Sequence, residues 1–315
     1  MNAANNASRL PTSIAEYLDQ LRAALAAADP ALVQDALYDA EEYLRSELAE
    51  QPGRNEAEVI AAVASSYGAP AEVAEIYRDT EVTVQTALRA PPPRQRTSVL
   101  GRFFGVAADP RAYAALFYMV LALATGIFYF TWVVAGIALS AGLAVLIVGI
   151  PFVILFLGSV RVLSLVEGRI VEVMLGERMP RRPLYAARGK PWLDRIKDMF
   201  TDPRTWSTLL YFVAMLPLGI VYFTLAVALL SIALSFVAAP LVAWAGVASF
   251  DRGVDGWQLL NIHNGFDITT SLQPWALPLL FVGGVVLLFA TLHIARGIGQ
   301  LHGLFAKSLL VRPTA

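Results

Sequence analysis

Apolar positions follow two regimes along the chain. Up to about residue 88 they recur at helical spacing among polar and acidic side chains; beyond Arg111 they run on for tens of residues. No charged side chain lies between Arg111 and Arg161 or from Thr205 to Phe250, and from Ile268 to Ala295 the only titratable group is His293. A helical span needs about 20 apolar residues, and a charge within the bilayer is costly. These stretches therefore predict membrane helices. The first is long enough for two, roughly 112–137 and 141–163, with a tight reversal near Gly136 to Gly142. Pro151 should free a backbone carbonyl inside the second and kink it.

The membrane region also repeats itself. Asp109-Pro110-Arg111 leads into AYAALFYMVLALATGIFYFT, and Asp202-Pro203-Arg204 leads into TWSTLLYFVAMLPLGIVYFT, aligned without a gap at an offset of 93 residues. Tyr118 falls on Tyr211, Gly126 on Gly219 and Tyr129 on Tyr222, which marks residues 109–315 as a duplicated membrane unit. Further on, Arg296, Gly303 and Leu309-Leu310 match Arg161, Gly168 and Met174-Leu175 at an offset of 135, so about 42 residues are inserted in the second copy. The insertion holds Ala239-Pro240 and a polar loop, about 247–273, whose one Arg faces Asp251, Asp255 and Asp267. Positive charge favours the cytoplasmic side. This places the loop outside and predicts four spans with both termini cytoplasmic, residues 233–250 forming a re-entrant or interfacial piece after one long span. The two copies then run in the same direction.

Residues 12–88 read as a compact, acidic, soluble bundle of four short helices. Ser13 with Glu16 forms a capping box ahead of Ile14, Tyr17, Leu21 and Leu25 on one face. Asp29-Pro30 opens a second helix running to about Glu50, Asn55 with Glu58 a third, and Gly68-Ala69-Pro70 separates a fourth. Residues 1–11 form a polar tail and 89–108 a basic, proline-rich linker. The segment from Arg161 to Arg204 holds ten Lys and Arg, so it too belongs in the cytoplasm. Val160 to Leu175 should lie along the interface, and Trp192, Ile196, Met199 and Phe200 should form a short amphipathic helix. Membrane repeat 1 is thus 109–200 and repeat 2 is 201–315. The fold class is all-α: a polytopic helical membrane protein of two parallel-topology repeats behind an N-terminal helical bundle.

Composition narrows the function. Hydrophobic residues make up 57% of the 315 and charged residues 16%, and the mean hydropathy of +0.58 excludes an ordinary soluble enzyme. The net charge of −1 hides an acidic N-terminal third and a basic remainder. There is no cysteine, hence no disulfide and no thiolate catalysis. No basic region leads into an early apolar core, so the first span is expected to serve as the insertion signal. No phosphate loop, nucleophile elbow or close histidine pattern occurs, so no catalytic residue, metal or cofactor is expected.

Three sets of residues stand out as candidate sites. Tyr118, Gly126 and Tyr129, with Tyr211, Gly219 and Tyr222, form matching helical stripes that serve either close packing or a ligand face. Asp251, Asp255, His263 and Asp267 cluster in the outer loop, and Asp35, Asp39, Glu41 and Glu42 form an acidic face for a partner.

Two resemblances sharpen this. YLDQL, the acidic DALYDAEEYL and Tyr67-Gly68-Ala69-Pro70-Ala71-Glu72-Val73-Ala74 resemble the HAAS domain of bacterial membrane signalling proteins, Tyr67 standing where the family has Leu before Gly-x-Pro. This covers about a quarter of the chain and implies a cytosolic docking role, with a PadR-type repressor as partner. The repeats, above all DPRTWSTLLYFVAMLPLGIVYFTLAVALLS, resemble the four-span "Putative sensor" family, often found ahead of a histidine kinase, although no kinase follows here. The expected function is a non-enzymatic sensor in a bacterial inner membrane; a lipid-handling or transport-associated subunit is the alternative. Expected partners are the lipid bilayer, a cytoplasmic regulator or kinase and other copies of the chain, with no direct contact to nucleic acid.

Overall fold

A computed structural model describes residues 10–88, 98–143, 149–181, 197, 200–245, 248–252, 258–263, 267–271 and 274–311. Helices dominate. The chain divides into two compact units, one of Met1–Pro92, Thr131–Val213 and His302–Ala315, the other of Pro93–Phe130 and Ala214–Leu301.

In the first unit, α1 (Ile14–Ala24), α2 (Pro30–Glu50), α3 (Glu56–Ser66) and α4 (Pro70–Leu88) form the N-terminal bundle. Local chemistry sets the ends. Ser13 Oγ accepts from Glu16 N–H, while the Glu16 carboxylate accepts from Thr12 N–H at 2.9 Å. Asp29 caps Ala31 N–H at 2.9 Å with Pro30 behind it. Asn55 sits at the start of α3 without a side-chain cap, and Glu56 instead accepts the Ile14 N–H. Tyr17, Leu21, Leu25, Leu44, Val59, Ile60 and Val73 make the core, all buried. Two phenols tie the bundle together: Tyr17 donates to the Gly68 carbonyl at 2.8 Å and Tyr77 to Asp39 at 3.1 Å.

Four longer helices follow α5 (Val99–Gly105): α6 (Pro110–Leu143), α7 (Gly149–Leu175), α8 (Pro203–Trp244) and α9 (Leu277–Leu310). Each is long and apolar enough to cross a membrane. Large side chains such as Leu155, Val173 and Trp244 stand exposed on them, a burden in water that a bilayer removes. This is an all-α membrane protein with four candidate spans.

Several sequence-based expectations shift here. α6 runs through Gly136 and Gly142 to Leu143, so no reversal occurs there; a Cβ at Gly136 would overlap the Phe156 ring, and close packing explains this glycine. Pro151 is the third residue of α7 as described from Gly149, and position 147, whose carbonyl it would leave without a donor, lies outside the described residues. Val160 to Leu175 is not a separate interfacial helix but the continuation of α7, with Val160, Glu167, Gly168 and Val171 buried. The 42 residues of α8 form one helix, roughly 63 Å at 1.5 Å per residue. Residues 233–244 thus extend it and form no re-entrant turn.

The insertion contains a small antiparallel sheet, β1 (Ala248–Arg252), β2 (Gln258–His263) and β3 (Asp267–Ser271), in the order β1-β2-β3. Its register sets Asp251 opposite Leu259 and His263 opposite Asp267. It holds the only strands among the described residues, where sequence suggested only a polar loop. The tail to residue 9, the linker over 89–97, Trp192, Ile196, Met199 and Asp255 lie outside the described residues.

Candidate functional site

Asp29, the N-cap of α2, and Gln34 and Asp35 in its first half each meet a cation from the membrane helices or the segment behind them. Lys307, in the last turn of α9, reaches Asp29 at 2.6 Å and Glu177 at 3.8 Å. Arg204, in the first turn of α8, donates to Gln34 at 2.8 Å. Arg178 follows the end of α7, which Gly176 terminates in a left-handed turn (φ 79°) that few other residues adopt.

Beyond that turn the charges concentrate. The Arg178 guanidinium lies 3.2 Å from Asp35, 3.3 Å from Glu81 of α4 and 3.7 Å from Glu172 of α7, all nearly buried. Asp35 also accepts the Arg181 backbone N–H at 2.7 Å. Glu172 takes the Arg181 side chain at 3.3 Å and pairs with Arg169. Among the described residues these contacts join three carboxylates to three guanidiniums. Such a set is weak evidence for stability, but removing one member strands the others away from water.

The acidic face is therefore not one surface. Asp35 is buried and held within the chain, Asp39 accepts from Tyr77, and Glu41 pairs with Arg45 at 2.9 Å. Glu42 is half-buried.

A second polar group lies among the membrane helices of the same unit. Tyr211 donates to Glu167 at 2.9 Å and stands 3.0 Å from His302 Nε2, with all three side chains buried. Which of Tyr211 and His302 donates in the second contact depends on the imidazole tautomer. Sequence reasoning missed Glu167 and His302. The signal was present: they immediately precede Gly168 and Gly303, the glycines that align between the copies.

The other stripe residues meet in the second unit. A Cβ at Gly126 would overlap the Met215 carbonyl, and one at Gly219 would overlap the carbonyl of Ala122. This is a reciprocal contact, since Ala122 and Met215 are themselves equivalent positions. Tyr118 and Tyr129 are buried, and Tyr222 packs beside Met119, Ala226 and Ala295. Arg296 pairs with Asp109 at 3.0 Å in this unit, and in the first unit Arg161 meets Asp202 at 3.5 Å. His293 stacks on Phe103 and bonds its carbonyl.

The family model described as "Putative sensor" matches residues 118–310. The chain belongs to this sensor family. A second model, HAAS, matches residues 16–76, so the sensor domain stands behind a HAAS domain. Comparison with curated proteins and with solved structures finds no match for the chain. In this sensor the HAAS domain includes Asp29, Gln34 and Asp35, and the sensor domain includes Arg178, Arg204 and Lys307.

Proposed function

We propose that the chain is a non-enzymatic sensor of a bacterial inner membrane, both termini cytoplasmic, which passes a membrane or periplasmic signal to a cytoplasmic partner through its N-terminal domain. One observation carries this reading: α2 is held by Lys307, Arg204 and Arg178, cations at the ends of three different candidate spans or just beyond. A shift of α7, α8 or α9 moves at least one of these cations. Asp35 is occupied while Arg178 stays in place and is offered, beside Asp39, Glu41 and Glu42, once it withdraws. A basic partner such as a PadR-type regulator or a kinase suits a carboxylate-rich helix. A stimulus has only to bind two arrangements unequally to move the balance.

The full chain in its native membrane tests this, with a photo-crosslinking residue in place of Glu42. One specific soluble protein should be trapped, and Lys307→Met should raise the yield severalfold by loosening α2. If neither the parent nor the Lys307→Met chain traps a specific protein, the docking role fails.

A further inference from the structure

We propose that the cleft between α7 and the first turns of α8 is an anion site that takes a phosphate group. It is lined by Arg161 and Ser164 of α7 and by Asp202, Arg204, Thr205 and Thr208 around the start of α8. Its cavity volume is about 30 Å³, room for a small group and not for a drug-sized ligand. The lining carries two guanidiniums and one carboxylate: Arg161 stands 3.5 Å from Asp202, and Arg204 gives one N–H to Gln34 at 2.8 Å and keeps others to donate.

The first-turn amides are not the donors. Arg204 N–H is taken by Asp202 Oδ1 at 3.1 Å and Thr205 N–H by the Asp202 carbonyl at 3.0 Å. Ser164 donates to the Arg161 carbonyl at 2.7 Å, so its proton is also in use. Thr205 is different. Its side chain is buried, the residue 4% exposed, and its Oγ1 has no hydrogen-bond partner among the described residues. Threonine in a helix usually bonds back to the preceding turn; Thr205 makes no such bond. A buried hydroxyl without a partner is a standing cost, and a phosphate oxygen in the cleft removes it. Arg161 and Arg204 then supply the charge-assisted donors that phosphate geometry favours.

The duplication provides an internal comparison. Asp109 and Arg296 repeat the ion pair of Asp202 and Arg161, but at 3.0 Å against 3.5 Å. The positions of Thr205 and Thr208 are occupied there by Ala112 and Ala115, both buried, and Ala112 belongs to an apolar cluster with Val106 and Leu292. One copy keeps the ion pair as scaffold and closes with alanines, while the other adds hydroxyls and leaves the pair loose. The group bound there is either the phosphate of an anionic lipid headgroup or free phosphate; the chemistry is the same.

Binding is measurable without any partner, so it stands apart from the signalling reading. The full chain in phosphatidylcholine nanodiscs is titrated with labelled inorganic phosphate, and in a parallel arm retained lipid is counted from discs containing phosphatidylglycerol. Uptake in the first arm identifies free phosphate, and enrichment of phosphatidylglycerol in the second identifies a headgroup. Thr205→Val with Thr208→Val should weaken whichever binding occurs by about tenfold or more, at an unchanged or higher melting temperature. If the double variant does not fold, Thr205→Val against Thr205→Ser makes the same comparison: serine retains binding and valine loses it. Binding of neither probe by the parent chain, or equal binding by the valine variants, overturns the site.

Discussion

Arg178 serves Asp35 and Glu81 of the N-terminal bundle and Glu172 of α7 together. Arg178→Gln should therefore destabilise the chain by about 3–5 kcal/mol, read as a fall in melting temperature in detergent. Tyrosine titration gives a second residue-level outcome. Burial pushes the Tyr17 and Tyr77 phenols above their ordinary value of 10, helped by Tyr67 beside both, by Glu72 near Tyr17 and by Asp39 near Tyr77. Below pH 10 these phenols are protonated whether the bundle is folded or not, so pH has little effect through them. Above it the unfolded chain loses those protons while the folded chain retains them, so stability falls as pH rises past about 10. Phenolate absorbance should thus appear for these two only as helicity is lost; ionisation with the helices intact would contradict their burial. Much at this scale was legible beforehand: the Asp29 cap and the apolar stripe of Tyr17, Leu21 and Leu25 are local patterns. The pairing of Asp35 with Arg178 was not, because 143 residues separate them and acidic residues on a helix ordinarily face water.

Among the elements, α6 and α8 make the most demanding contact, since the backbone at Gly126 and Gly219 meets the partner helix with no room for a methyl. Gly219→Leu should cost about 1–3 kcal/mol or more through overpacking, whereas Gly142→Ala, with nothing within 4 Å of its Cβ, should leave the melting temperature unaltered. Equal effects from the two would contradict this packing. The duplication in sequence already pointed to these glycines, because two copies of one helix share the same small residue where they cross. Boundaries were harder to read. Gly136 and Gly142 resemble turn residues, but an unbroken apolar run carries no punctuation of its own and the neighbouring helix decides. The sheet of β1 to β3 was hidden for the opposite reason: its short strands lie among polar residues with little alternation.

At the scale of the whole molecule, the compact units cut across the repeats. The first contains α7 from one copy and the start of α8 from the other, and the second likewise mixes α6 with the rest of α8 and most of α9. The family matches describe the chain as two domains in series, whereas its ion pairs run backward from the sensor helices to α2. The crossed pairs of Asp109 with Arg296 and Asp202 with Arg161 have one further implication. Each copy supplies an aspartate for the other's arginine, and vice versa. A single unduplicated copy would carry both charges unmatched, complementary only to those of a twin across a two-fold axis. The covalent chain therefore carries both halves of each pair, and neither charge depends on a second molecule for its partner.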